Sequence, residues 1–194
     1  MPFDNPQSDD APLDTSKRRG VGAEAAAQLP DGKGDTVVAN TVTIARPVAD
    51  VFAHFRDFNN LPGFMENVDR IDVLDSTRSH WVVKAPAGRT VEWDARITEE
   101  QRDRSIAWTS EEGADVANSG RIEFRDAGPR GTIVTLTIVY DPPGGVIGQF
   151  FAKLFQREPK IQARRDLRRF KQLMETGEVA TPAMNPKQFE EMGL

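Results

Sequence analysis

Residues 89–110 read RTVEWDARITEEQRDRSIAWTS. Val91, Trp93, Ala95 and Ile97 alternate with Glu92, Asp94 and Arg96, the period of two expected of a strand with one buried and one wet face. The alternation breaks at Arg102-Asp103, and Ile106 and Trp108 follow on a second strand-like segment. A join this short cannot hold a parallel crossover, so the two segments predict antiparallel neighbours. The same reading extends both ways, giving strands over 68–74, 80–85, 89–99, 104–110, 119–126 and 132–140. Tight joins separate them at Asp75-Ser76, Ala87-Gly88 and 127–131. In the last strand Val134, Leu136, Ile138 and Tyr140 share a face, and Thr135 and Thr137 take the other.

Upstream, TVVANTVTIARP at 36–47 is rich in β-branched residues, with Val38, Val42 and Ile44 as its apolar set. Arg46-Pro47 ends it, because the residue before a proline is disfavoured in helix, whereas proline suits a helix's first turn. VADVFAHFRDF then places Val48, Val51, Phe52 and Phe55 on one helical face. Asn59, Asn60 and Pro62-Gly63 break the chain and leave room for one short helical turn around LPGFM. After Asp141-Pro142-Pro143-Gly144-Gly145 a helical pattern runs over 146–176. Pro159 is expected to kink or divide it, and Gly177 to stop it.

The order is one strand, two short helices, six strands and a long helix. A curved antiparallel sheet must cover its apolar face and a long amphipathic helix must bury its stripe. The economical arrangement is an α+β helix grip: about seven antiparallel strands wrapped around the C-terminal helix, with a cavity between them.

The 194 residues suffice for one domain with tails. Residues 1–35 are poor in large apolar side chains and are expected to be disordered, with Lys17-Arg18-Arg19 a solvated charge cluster. The domain spans 36–178, and 179–194 reads as a tail. The net charge of -5 argues against nucleic acid as a partner. Cysteine is absent and only His54 and His80 are present. Disulfides, thiolate chemistry and a histidine-rich metal site are therefore excluded, and no metal or cofactor is expected. The N-terminus lacks the basic and apolar regions of a secretory signal. No run of about 18 apolar residues occurs. A cytoplasmic location is the default expectation.

Four stretches carry a family resemblance: VTIARPVADVFAHFRDFNNLPGFMENVDRIDVLD, VEWDARITEEQRDRSIAWTS, NSGRIEFRDAGPRGTIVTLTIVYDPPGG and DLRRFKQLMETGE. In this order, over residues 36–178, they resemble the SRPBCC, or START-like, superfamily, and within it the polyketide cyclase/dehydrase and coenzyme-Q-binding group. The resemblance implies a helix grip with a hydrophobic cavity. Relatives bind lipids, quinones or polyketides, and some steer cyclisation. The group shares no short catalytic signature, so the resemblance assigns no catalytic residue here.

The candidate cavity lining is Phe52, Phe55 and Phe64 near the short helices, and Trp81, Val83, Trp93, Ala95 and Trp108 on the central strands. Phe124, Leu136, Ile138 and Tyr140 join it from the last strands, and Phe151, Phe155 and Phe170 from the long helix. Plain core packing would use the same residues. A ligand-binding reading gains from the flat indole faces and from a Tyr140 hydroxyl able to orient a ligand. Asn60, Pro62, Gly63 and Phe64 form a candidate lid. His54 lies off the apolar stripe of its helix, His80 opposite Trp81 on its strand, and both are expected at the surface or boundary. Glu92, Asp94 and Arg96 read as a solvated outer stripe, and Glu111-Glu112 as a solvated loop. The expected partner is a small hydrophobic ligand. Arg157, Lys160, Arg164, Arg165, Arg168 and Arg169 beside the apolar VIGQFFAKLF also admit peripheral contact with an anionic membrane. Three functions compete: a binding module, a cyclase or dehydrase working by orientation and exclusion of water, and a membrane-associated interaction protein.

Overall fold

The computed structural model describes residues 14–17, 36–85, 88–140 and 159–179. Its strands are β1 (Asp14–Lys17), β2 (Thr36–Ile44), β3 (Val68–Val73), β4 (Arg78–Ala85), β5 (Arg89–Gln101), β6 (Ser105–Ser110), β7 (Asn118–Asp126) and β8 (Thr132–Tyr140). The helices are α1 (Val48–Arg56), a 3-10 helix (Phe58–Gly63) and α2 (Pro159–Thr176). The described strands form one curved antiparallel sheet in the order β1-β2-β8-β7-β6-β5-β4-β3. The chain is a helix-grip α+β protein, as its patterning predicts. Bulges between Val68 and Arg70 and between Ile97 and Glu99 add local bend and twist to the sheet.

Asp14–Lys17 departs from the expectation of disorder across residues 1–35. It pairs with β2, Lys17 opposite Thr36. Strand addition uses main-chain hydrogen bonds at a sheet edge and needs no large apolar side chain, so composition gives it no signal.

α1 begins after Pro47, whose carbonyl accepts from the N–H groups of Asp50 (3.1 Å) and Val51 (3.2 Å). It buries Val51, Phe52 and Phe55. Asp57 ends it and caps the 3-10 helix by accepting from the Asn59 backbone N–H at 3.2 Å. Three residues per turn put Phe58 and Leu61 on the same side, and both are buried.

The described part of α2 starts at Pro159, which a first helical turn tolerates. Residues 141–158, with Phe151 and Phe155, lie outside the described residues. Leu167 and Phe170 are buried beneath the helix. Three polar contacts tie its C-terminal half to the end of β2. Lys171 Nζ donates to the Thr43 carbonyl (2.5 Å), the Ala45 N–H to Glu175 Oε1 (2.7 Å), and Arg46 Nε to the Met174 carbonyl (2.7 Å). Gly177, at φ +80°, ends the helix as expected, its N–H donating to the Leu173 carbonyl.

The opposite face of the sheet is not uniformly wet. Val37, Val139, Ser119 and Thr137 point away from the concave side yet are buried, and Val37 and Val139 form their own small cluster. The expectation of a wet outer face fails there, because alternation reports only which residues share a face, not what covers it.

His54 sits at the boundary, its ring 5.8 Å from Phe170 and 6.5 Å from Phe64, with Nε2 buried and unpaired among the described residues. Burial lowers its pKa from the ordinary 6.5, outweighing the opposing charge of Asp57. The folded state therefore takes up this proton less readily than the unfolded chain. The neutral imidazole carries no penalty above pH 6.5, and stability declines as pH falls below that value toward the folded pKa. Urea unfolding from about pH 7.5 to 5.5 should show this decline, and His54→Phe should flatten it.

Candidate functional site

The concave face divides into two clusters that differ in side-chain size. Around α1 and the buried end of α2, Phe52, Phe55, Phe64, Phe124 and Phe170 pack edge to face or stacked, Phe64 on Phe170 at 4.7 Å between centroids. Toward the other end the buried positions are Val38, Val83, Val91, Val116 and Tyr140. Smaller residues on strands of the same spacing leave space. A cavity of about 200 Å³ lies there. A single buried water needs roughly 10–15 Å³ on this measure, so the space suits an organic molecule.

Phe55, Trp81, Val83, Trp93, Ala95, Trp108, Leu136, Ile138 and Tyr140 line it, as proposed from the sequence. Phe52, Phe64, Phe124 and Phe170 do not; they fill the phenylalanine cluster behind it. Their apolar periodicity is the same as that of the lining residues, so periodicity alone could not separate wall from filling. Of the candidate lid, Phe64 turns into that cluster. Its neighbours Phe58, Leu61 and Met65 reach the cavity instead, with Asn67 and Val68 after them. The 3-10 helix starts at Phe58, three residues before the helical turn expected around LPGFM, and so brings Phe58 to the cavity beside Leu61. Val38 and Ile97 also border the cavity, on the faces that the alternation of their strands marks as apolar. Ser79, Val116, Asn118, Ala163 and Asp166 gave no signal.

Two tryptophans make a flat wall. Trp81 and Trp93 are cross-strand partners with centroids 6.2 Å apart and planes 8° from parallel. Phe58 meets Trp81 edge-on at 6.1 Å. Trp81 Nε1 donates to Ser79 Oγ at 2.9 Å, so its one polar atom is satisfied and its ring is fixed. Trp108 lies flat on its partner Gly120, where an added Cβ would stand 2.2 Å from Cζ2. Asn118 is also engaged, its Nδ2 donating to the Val116 carbonyl at 3.0 Å and its N–H to Ser110 Oγ at 3.0 Å. Asp166 is the acidic side chain at the margin, accepting from the Glu66 N–H at 3.4 Å.

Arg96, an exposed member of the outer stripe, also borders the cavity, and further charged pairs line the other face of the sheet. His80, expected to be exposed, is half-buried there, with Nδ1 2.7 Å from Asp94 Oδ1 and Nε2 3.5 Å from Glu92. Arg78 grips Glu111 through two bonds of 3.0 and 2.9 Å, so Glu111 is ion-paired instead of a solvated loop residue. Neither histidine borders the cavity. No group of three or more His, Asp or Glu among the described residues is arranged to hold a metal ion. No described helix is long and apolar enough to cross a membrane.

A curved sheet gripping a C-terminal helix over a largely hydrophobic cavity defines a START-like protein. Residues 35–175 match the family described as polyketide cyclase / dehydrase and lipid transport, and the chain belongs to that family. It is 31% identical to an uncharacterised 17.2 kDa protein of the melC2-rnhH intergenic region in Streptomyces lincolnensis, over 71% of this chain and 89% of that protein. Among solved structures it resembles DR_A0006 from Deinococcus radiodurans at 38% identity and TM-score 0.59, covering 73% of this chain and 98% of the other. The ZhuI aromatase/cyclase from Streptomyces sp. R1128 shares the fold at 16% identity and TM-score 0.57, covering 74% and 98%.

Gly120→Ala should push the Trp108 indole off β7. The expected result is about 1–3 kcal/mol of destabilisation in urea, with an altered near-UV tryptophan spectrum. An unchanged spectrum and stability would mean that Trp108 is not seated on this glycine.

Proposed function

We propose that the protein binds one small hydrophobic molecule between the sheet and α2: a lipid, an isoprenoid quinone or a polyketide-like aromatic. The observation that carries this reading is the cavity of about 200 Å³ walled by Trp81, Trp93 and Trp108. Apolar surface drives such binding, and flat indole faces favour planar or chain-like partners. Ser79 and Asn118 are engaged within the protein, and the lining is otherwise apolar apart from Asn67, Asp166 and the outward-exposed Arg96, which favours selection by shape and apolar area.

One observation favours a second reading, a cyclase or dehydrase. Asp166 places a carboxylate at the cavity margin, where it could move a proton on a bound chain. Membrane contact through the basic helix has less support. Arg169 pairs with Glu66 at 3.2 Å and Lys171 with Glu175 at 3.3 Å, leaving Arg165 and Arg168 as the exposed cations among the helix residues whose burial is described, 163–176.

Ala95 is buried and lines the cavity, so Ala95→Phe fills the space. An environment-sensitive apolar dye should bind the wild type saturably, one per chain. The variant should lose at least about tenfold in affinity while unfolding no more than about 1–3 kcal/mol more easily. Equal affinity in the two proteins would place the dye elsewhere and remove the main support for this reading. Asp166→Asn should leave dye affinity unchanged if the aspartate serves proton transfer alone.

A further inference from the structure

On the other flank of α2 lies a second, much smaller space. β2 turns Val38, Asn40 and Val42 toward the helix. Asn40 is thus a carboxamide in an otherwise apolar inward row. It is 2% exposed, and neither Nδ2 nor Oδ1 has a hydrogen-bond partner among the described residues. Arg164 Nε, on the facing helix, is likewise buried and unpaired. Both border a space of about 10 Å³ lined by Asn40, Thr41, Val42, Arg164, Leu167 and Arg168. Arg164 and Arg168 are one helical turn apart and share that side of α2.

The chemistry of this lining is one-sided. Among the described residues no acidic side chain borders the space, and no ion pair is described for Arg164 or Arg168. The half-buried Arg164, whose Nε is buried, and the solvent-exposed Arg168 border the space with one neutral amide, and a buried donor without an acceptor is costly. The volume matches one water-sized species, roughly 10–15 Å³. A water fits the size but leaves the half-buried Arg164 guanidinium without a counter-charge. A monatomic anion fits the size, accepts from Asn40 Nδ2–H and Arg164 Nε–H, and neutralises charge.

We propose that Asn40, Arg164 and Arg168 form a site for one small monovalent anion of chloride size, which pins α2 to β2. The same helix presents Ala163 and Asp166 to the ligand cavity, so the anion holds one wall of that cavity in place. The proposal does not depend on the identity of the cavity ligand.

Bromide is the probe in crystals and chloride in solution. Crystals of the full chain grown in sodium bromide should show an anomalous peak within hydrogen-bond distance of Asn40 Nδ2 and Arg164 Nε. At constant ionic strength, exchanging gluconate for chloride should raise the melting midpoint by about 2–4 °C once chloride exceeds its dissociation constant several-fold. Asn40→Leu, which keeps the branching at Cγ without the polar atoms, should abolish that rise. Superimposed chloride and gluconate series for the wild type overturn the proposal, as does a water or nothing at the bromide position. A bromide peak without halide dependence in solution marks an adventitious ion only, and also overturns it. If the amide is merely an unpaired polar group, Asn40→Leu stabilises the protein equally in both salts.

Discussion

The concave side of a curved eight-stranded sheet must be closed by whatever side chains its strands and helices supply. Here that supply is uneven. Five phenylalanines close the end beneath α1 and Phe170, ring against ring. At the other end, Val38, Val83, Val116 and Ala95 border an open space instead of a filled core. Close packing is the rule in protein interiors, so a void of this size is a feature of sequence, helped by small residues at Val38, Val83, Val116 and Ala95 in its lining. The three tryptophans stand between the two regimes and turn the void into a shaped cavity.

The walls are held from behind. Ser79 fixes the Trp81 indole, Trp93 lies parallel to it, and Gly120 gives Trp108 room to lie flat. The α2 wall is tied to the corner after β2 by Lys171, Glu175 and Arg46. Charge is kept largely on the far side of the sheet, where Arg78, Glu111, His80 and Asp94 satisfy one another. Such a division suits recognition by apolar area and shape, since preorganised walls reduce the cost of ordering on binding.

Most of the architecture was legible because it rests on period. Strict alternation through 89–97 and 134–140 gave strands that the structure reproduces to within one to three residues at most ends. Pro47 and Gly177 marked helix ends through backbone chemistry that a sequence displays openly. β1 was invisible because it is held by main-chain pairing at an edge. The cavity was half legible. Alternation says that Phe124 and Leu136 both face inward, but only the three-dimensional sum of volumes makes Phe124 filling and Leu136 wall. Asp166 and Asn118 were missed for a related reason: each reaches the cavity from a position whose sequence neighbours advertise solvent or turn.

The most direct measurement is native mass spectrometry of the protein purified from its own host, followed by organic extraction and identification of what is released. The account predicts one hydrophobic molecule per chain, lost on denaturation and absent from Ala95→Phe prepared in the same way. Wild-type protein that is uniformly free of bound molecules, and that takes up no lipid, quinone or aromatic polyketide when these are supplied, would contradict it.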